Sequence, residues 1–312
     1  MRSAVLILFY DCSQLILRAI ANSAPHVEKI YVSYSPYPWS YNPEAREKFR
    51  NPSDPGILKE SPHLDKLQLI EGDWATEEDQ RNEVLDLARE EGFDILIVQD
   101  ADEFFMSEDY AANLAQIESN RDFAYFRTPW YQFWKDTRHV ILCRESLTYR
   151  KGLVETRLKN TTLAFSMAFA LNLHSDIRFN HCRRPSHVDD YLMLDRPCYH
   201  LSYVLSDNQV ERKIRTYGHT NQIRHAQWLR RKWYGWQPST RCLHPLNPAA
   251  WLKAVPFGGP LPKELEDLPE VENQYTPLTW LEKTKEFIID LGDLIRMRLK
   301  VLKSQAIARI SK

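Results

Sequence analysis

The sequence lacks the paired cysteines of a disulfide framework or a zinc finger. Its 312 residues include five cysteines, which are widely spaced and contain no Cys-x-x-Cys pair. An odd number of scattered cysteines is typical of reduced thiols. We therefore expect a cytoplasmic protein without disulfides.

A long apolar run and an excess of charge of either sign are also absent. The apolar run over residues 4–10 ends at Asp11 and is far shorter than the roughly 20 residues of a membrane-spanning helix. We interpret it as a buried first strand and not as a signal peptide. The formal net charge of -1 argues against a nucleic-acid-binding protein.

What the sequence does contain is an alternation of strand and helix patterns over its first hundred residues. Apolar residues make up 43% of the chain, enough for a substantial core. Apolar runs typical of buried strands alternate with amphipathic segments, and this order predicts a parallel α/β sheet. The predicted elements are a strand at 4–10, a helix from the cap Ser13 to about Ala24, strands at 28–34 and 67–70, a helix from Thr76 to Gly92 and a strand at 93–98.

The remainder of the chain shows a different pattern. Residues 123–170 favour longer strands and hairpins that continue the sheet. We predict three parts: a catalytic domain over residues 1–205, a helical and proline-rich extension over 206–276 that completes the site, and a basic amphipathic C-terminal helix over 277–312.

An acidic cluster follows the strand at 93–98. Asp100, Asp102 and Glu103 repel one another at the end of a buried strand unless a cation joins them. Carboxylate oxygens suit Mg²⁺ or Mn²⁺, which commonly keep phosphates as further ligands. The alternative is a solvated acidic turn that caps the helix beginning near Glu108.

The context of this cluster resembles the GT-A-fold glycosyltransferases, above all their family-two-like members. The resemblance lies in an Arg81-Asn82 pair at the opening of a helix, Gly92, an apolar strand and the Asp100-Ala101-Asp102 end. It returns in the segment 198–204, which is similar to the family's late histidine segment. The family implies a Rossmann-type mixed sheet flanked by helices, here with a helical C-terminal extension.

The resemblance also implies an activity and several residue roles. It implies metal-dependent transfer of a sugar from a UDP- or GDP-sugar to a glycan, lipid or small-molecule acceptor. Asp102 and His200 then hold Mn²⁺ or Mg²⁺. Asp100 contacts the metal through water or the nucleotide ribose, and Arg81 approaches the donor's phosphates or base. His200 as a core histidine is the alternative.

The base-binding end of the site is less defined by the sequence. Tyr10 and Asp11 correspond to where the family holds the nucleotide base, although Asp11 is equally suited to capping the next helix. The family's usual acidic residue after the second strand is replaced by Ser33 and Ser35, so the identity of the base stays open. Trp39 either stacks on the base or anchors a loop.

An inverting enzyme also needs a base that deprotonates the acceptor. Asp189 is the candidate nearest to His200 along the chain, with Glu145 and Asp136 as competitors, and a retaining enzyme needs none. Trp130 or Trp134 would line an acceptor groove, or both pack into the core.

The C-terminal segment is basic and amphipathic. Its apolar residues recur at helical spacing, and no acidic residue follows Arg296. Such a helix either packs against the catalytic domain or contacts a membrane surface peripherally. The apolar stripe comprises Leu281, Ile288, Leu291, Ile295, Leu299 and Leu302.

Two other classes of protein fit the same cluster. A metal-dependent phosphohydrolase or nucleotidyltransferase also uses clustered carboxylates, but needs neither the Arg81-Asn82 context nor His200. The third alternative is a non-catalytic glycan- or nucleotide-binding protein with this fold.

Overall fold

The structure is a computed structural model, which describes residues 1–145, 148–150, 153–155, 159–187, 189–216 and 222–310. Its strands are β1 (Ser3–Phe9), β2 (Lys29–Tyr34), β3 (Leu67–Glu71), β4 (Ile95–Val98), β5 (Glu103–Phe104), β6 (Tyr125–Trp134), β7 (Asp136–Glu145), β8 (Thr148–Arg150), β9 (Leu153–Glu155), β10 (Lys159–Thr161), β11 (Leu163–Asn172), β12 (Phe179–His181), β13 (Arg184–Pro185), β14 (Tyr191–Met193), β15 (Cys198–Tyr203) and β16 (Trp251–Pro256). Its α-helices are α1 (Ser13–Ser23), α2 (Pro43–Lys48), α3 (Glu77–Glu90), α4 (Ser107–Glu118), α5 (Asp207–Thr216), α6 (His225–Trp228) and α7 (Trp280–Ile310).

These elements confirm the predicted mixed α/β fold. The main sheet runs in the order β10-β7-β6-β11-β4-β1-β2-β3. Strands β4, β1, β2 and β3 are mutually parallel, whereas β11 is antiparallel to both β4 and β6. Because the carboxyl ends of parallel strands meet at one edge, the residues after β1, β2 and β4 are brought together there.

Both faces of the parallel part are covered, as its continuous apolar strands require. In β1, Val5 and Ile7 join a core with α1 and α4, while Ala4 and Leu6 join a second core with α3. The predicted cap of α1 is one residue out of place, since Ser13 begins the helix and Cys12 occupies the cap position without a side-chain hydrogen bond. Helix α3 starts as predicted, with the Thr76 side chain accepting from the Asp79 amide.

The extension over 206–276 contributes more than helices. It contains α5, α6 and a π-helical turn at Leu229–Tyr234, but also β16, which pairs antiparallel with β7 of the main sheet. A third core lies there, rich in tryptophan. The extension is therefore continuous with the sheet, although its sequence predicted only helix and connection.

Helix α7 is much the longest helix among the described residues, at 31 residues. In the part of the chain that the structure describes, no helix has the length and apolar character needed to span a bilayer. Residues 311–312 of the predicted C-terminal helix lie outside the described part.

Candidate functional site

A cavity of about 320 Å³ opens at the carboxyl edge of the parallel strands. The ends of β1, β2 and β4, the first turn of α3, strand β15 and helix α5 contribute to its wall. The predicted site residues that line it are Tyr10, Asp11, Trp39, Arg81, Asp100, Asp102 and His200. Side chains predicted from separate sequence segments are thus brought together in one pocket.

Asp102 and His200 meet on the floor of this pocket. Asp102 follows β4, and His200 lies on β15, which pairs with β5 immediately after the acidic cluster. The Asp102 Oδ1 atom is 3.4 Å from the His200 Nε2 atom, and the Lys213 Nζ atom is 3.5 Å from Asp102 Oδ2. Burial alone would raise the pKa of the Asp102 carboxyl, but His200 and Lys213 favour the carboxylate and keep this pKa below its usual range.

The other ring nitrogen of His200 contacts Gln132. The His200 Nδ1 atom lies 2.7 Å from the Gln132 amide nitrogen, while Gln132 Oε1 is buried with no hydrogen-bond partner among the described residues. Turning the amide over would let Nδ1–H donate to Oε1 and satisfy that oxygen. His200 Nε2 would then either donate a second proton to Asp102 or present a lone pair to a cation held between them.

Two arginines neutralise the rest of the acidic cluster. Asp100 accepts from Arg81 at 2.9 Å and from Arg183 at 3.2 Å, and Arg183 also forms a two-pronged ion pair with the buried Glu103. The pKa of Asp100 is lowered because these guanidiniums outweigh its burial, whereas that of Glu103 is raised because burial dominates. The arginines therefore relieve the repulsion at Asp100 and Glu103 without a metal, and only Asp102, which faces His200 and Lys213, stays a candidate for direct metal binding.

This pairing bears on the predicted roles of Asp100 and Arg81. Both carboxylate oxygens of Asp100 already accept from arginines, which favours the predicted contact through water or ribose over direct metal ligation. Arg81 is almost fully buried and donates to Glu77 as well, yet its Nη1 atom has no partner among the described residues. Because this atom is buried, Arg81 acts on the pocket wall through its charge and its pairing with Asp100.

Asp11, which follows β1, makes contacts that differ from those of a helix cap. Asp11 adopts a positive φ of 51° and forms a two-pronged ion pair with Arg212 of α5, at 2.8 and 2.9 Å. Its carboxylate thus ties α5 to the pocket and does not cap α1. Tyr10 lines the pocket, and its buried hydroxyl has no partner among the described residues.

Trp39 anchors its loop, as one of its two predicted alternatives states, and stacking on a base stays a prediction. Its indole Nε1 donates to the Gln80 side chain at 2.9 Å, and Gln80 in turn donates to the Ser33 hydroxyl at 2.9 Å. The loop after β2 is therefore anchored to α3, while the half-buried ring still lines the pocket. The end of β2 carries Ser33 and Ser35, and Ser35 lines the pocket. Among the described residues, no acidic side chain takes the place of these serines there.

The structure does not bring the predicted catalytic base to this pocket. Asp189 is exposed in a turn beside Tyr125, at the start of β6, whereas His200 pairs with Gln132 near its end. Seven residues of strand separate these points by about 20 Å. Asp136 also lies outside the pocket wall, in contact with Arg138 and His139, and the side chain of Glu145 lies outside the described part.

The two tryptophans considered for an acceptor groove differ in position. Trp134 is fully buried among other aromatic rings, so the core alternative is correct for it. Trp130 is partly buried, and its ring centroid lies 4.3 Å from that of His200. Only Trp130 is therefore near the predicted metal pair.

Four residues that contribute to the site are not predicted from the sequence. Arg183 and Lys213 each lie beside another cation in an otherwise unremarkable segment, and Gln132 and Arg212 act through neighbours distant in the chain. A weak signal existed for Gln132, because it follows Trp130 on the strand predicted next to the metal site.

No family model and no curated protein matches this chain. Several solved structures overlap with it in part. A mannose-1-phosphate geranyltransferase from Thermus thermophilus covers 65% of this chain and 75% of its own, at 14% identity and a TM-score of 0.35. A 2-C-methyl-D-erythritol 4-phosphate cytidylyltransferase from Francisella tularensis covers 55% and 73%, at 14% identity and a TM-score of 0.33.

A third structure, a 4-diphosphocytidyl-2C-methyl-D-erythritol synthase from Anaerococcus prevotii, covers 68% of this chain and 94% of its own, at 10% identity and a TM-score of 0.35. The names of the first two are those of transferases. Overlaps with TM-scores below 0.5 leave the function of this chain to be inferred from the side chains of its own pocket.

Proposed function

We propose that this chain is a metal-dependent transferase that binds a nucleoside diphosphate in the pocket and transfers the sugar attached to it to an acceptor. The observation that carries the proposal is the convergence of Asp102 and His200, 3.4 Å apart, on the floor of the cavity. Among the described residues, Asp102 has no arginine partner, in contrast to Asp100 and Glu103; its charged neighbours are His200 and, at 3.5 Å, Lys213.

The Asp102–His200 pair fits a divalent cation. Carboxylate oxygen and imidazole nitrogen each bind Mn²⁺ or a similar ion at about 2.1 Å, so two ligands of one ion lie roughly 3 to 3.5 Å apart. Once the amide is turned over, the unsatisfied Gln132 oxygen would face Nδ1 and be the partner that a metal-binding histidine normally requires. A bound ion would supply Lewis acidity and neutralise the charge that develops on a departing diphosphate.

The chain's own residues supply further complementarity to phosphate. Lys213 donates to both the carbonyl and the hydroxyl of Ser202, at 2.9 and 2.8 Å, and its charge lies beside Asp102. Arg81, paired with Asp100, adds positive charge to the same wall. Donors held in this way stabilise growing negative charge without having to reorganise. Trp39 and Tyr10 contribute aromatic side chains to the wall that would contact the nucleoside.

Transfer of a nucleotidyl group is the second candidate function. It is favoured by two positive charges, those of Lys213 and of the buried Arg81, in addition to the candidate metal pair, which suits the larger charge of a nucleoside triphosphate. Its reaction would release pyrophosphate, whereas sugar transfer releases a nucleoside diphosphate. The two functions are therefore separable by their products.

The experiment incubates the protein with Mn²⁺ and either a panel of nucleotide sugars with candidate acceptors, or nucleoside triphosphates with sugar phosphates. We expect release of UDP or GDP from the first panel, reduced at least about 100-fold in Asp102→Asn. The matched control is Asp267→Asn, which removes an exposed carboxylate paired with Arg18 and should leave turnover unchanged.

Each outcome decides between the classes considered. Release of pyrophosphate alone would favour nucleotidyl transfer. Phosphate release without an acceptor would favour a phosphohydrolase, and metal-dependent binding without turnover would favour a non-catalytic protein. Equal activity of wild type and Asp102→Asn would contradict the assignment of this pocket as the active site.

A further inference from the structure

Helix α7 packs against the rest of the protein with its acidic face. Glu282 pairs with Arg230 at 2.8 Å, Glu286 with Arg231 at 3.2 Å, and Asp290 with Lys232 at 2.7 Å. The three cations are consecutive on the π-helical turn Leu229–Tyr234. Glu286 and Asp290 are buried in this contact.

The opposite face of α7 is apolar and exposed. At about 100° per residue, the acidic side chains occupy one sector of the helix, and the apolar ones occupy a sector of about 120° on the other side. Their exposed fractions run from 47% to 79%. We call this set the outer stripe: Trp280, Leu281, Phe287, Ile288, Leu291, Ile295, Leu299 and Leu302.

This orientation reverses the usual one, in which an amphipathic helix turns its apolar side to the core. The outer stripe continues over Trp280 to Leu302, about 33 Å of helix. A contiguous apolar surface of this length is typical of an interaction site and not of scattered surface residues. Something apolar is therefore needed to cover it.

The charges beside the outer stripe indicate what covers it. Lys285 and Lys303 lie on one flank, Lys283 on the other, and Arg298 within the stripe, all of them exposed. The acidic residues of α7 up to Asp290 are engaged with the cations at 230–232, and Asp293 pairs with Arg296. The outward surface thus combines apolar side chains with positive charge.

We propose that the outer stripe binds an anionic lipid surface, with α7 lying in the plane of the interface. Apolar side chains would enter the acyl boundary while the flanking lysines contact lipid phosphates. A second copy of the chain is a poorer occupant, because two such faces would bring like charges together without exposed carboxylates to pair them. The proposal is independent of the reaction in the pocket.

The test is sedimentation of the full chain with vesicles of phosphatidylcholine, with and without phosphatidylglycerol. We expect binding to the anionic vesicles that weakens with added salt. Ile295→Ser should bind about fivefold less tightly, and Ile288→Ser/Ile295→Ser/Leu299→Ser on the order of 100-fold less. Leu64→Ser is the matched control, because Leu64 is 53% exposed and Ile295 51%; it should bind as wild type does.

A charge variant separates the two contributions. Lys283→Gln/Lys285→Gln/Arg298→Gln should lose about fivefold per cation on anionic vesicles and nothing on neutral ones. Far-UV circular dichroism establishes that each variant is folded. The proposal is overturned by equal binding to neutral and anionic vesicles, by equal losses in Leu64→Ser and Ile295→Ser, or by light scattering that shows a dimer dissociated by the triple serine variant.

Discussion

Arg183 binds the two carboxylates of the acidic cluster that lie outside the candidate metal pair. It contacts Glu103 and Asp100 while itself only 7% exposed, and Glu103 is 1% exposed. We predict that Arg183→Met lowers the free energy of unfolding by about 3 to 5 kcal/mol, because it leaves a buried carboxylate without its partner. Urea denaturation followed by circular dichroism measures this loss.

The control replaces an arginine in an exposed pair. Arg178 binds Asp86 with two hydrogen bonds, at 2.7 and 2.9 Å, and both side chains are nearly half exposed. Arg178→Met should cost less than about 1 kcal/mol, because solvent screens the pair. Similar losses in the two variants would refute the special position of Arg183.

Some residues of the site can be predicted from their neighbours along the chain, and others cannot because their partners are distant in sequence. Asp102 could be predicted because its neighbours along the chain form a recognisable strand end, and His200 because of the segment around it. Arg183 could not, since its partners lie some 80 residues away and any buried cation would look the same in sequence. Proximity along the chain favours Asp189 as the base, but the length of β6 places Asp189 far from His200 in space.

Helix α5 contributes two side chains at the pocket. One binds the end of β1, and the other is a cationic hydrogen-bond donor. Arg212 binds Asp11, and the next residue, Lys213, lies beside Asp102. We predict that Arg212→Met weakens Mn²⁺-dependent binding of UDP or GDP about tenfold, because α5 then holds Lys213 less firmly against the pocket. Isothermal titration calorimetry with each nucleotide gives the change directly.

Loss of a positive charge could weaken binding by itself, and a second variant measures that contribution. Arg215 lies on the same helix but pairs only with Glu211 among the described residues. Arg215→Met should keep nucleotide affinity within about twofold, since long-range effects of exposed charges are largely screened. If both variants lose affinity equally, the positioning role of Arg212 is wrong.

At the scale of elements, local signals predicted the first hundred residues well and the extension poorly. Apolar runs gave β1 and β4, and the positive φ of Gly92 closes α3 as predicted. Strand β16 was missed because its pattern is six residues within a proline-rich segment, and its partner β7 lies more than a hundred residues earlier. Because the two strands lie so far apart in sequence, no local periodicity indicates that they pair.

Across the whole molecule, the near-zero net charge conceals a separation of acidic and basic side chains into different surfaces. A formal net charge of -1 predicts no partner, yet the structure gathers cations at 230–232 against the acidic face of α7 and leaves other cations around the outer stripe. Sequence totals could not predict this, because the sector of a helix that faces the core depends on its neighbours. The segregation also makes global stability depend on pH.

Asp290 determines one part of that dependence. Burial raises the pKa of its carboxyl from 3.8 to about 6, despite the opposing charge of Lys232. Since the folded state then binds the proton more tightly than the unfolded chain, this group's contribution to stability is complete below pH 3.8 and is lost as the pH rises towards about 6. Asp290→Asn removes the titration while keeping the shape of the side chain.

We therefore predict that the free energy of unfolding of Asp290→Asn rises relative to that of wild type by on the order of 2 kcal/mol between pH 4 and 7. Urea denaturation at several pH values measures the difference. Asp94→Asn provides a control of opposite sign, because the Arg2 amide and His174 lower the pKa of Asp94. The free energy of unfolding of wild type should exceed that of this variant at neutral pH, and the difference should shrink on acidification. A difference between Asp290→Asn and wild type that stays constant with pH would show that the carboxyl is ionised throughout, and that Lys232 fully offsets its burial.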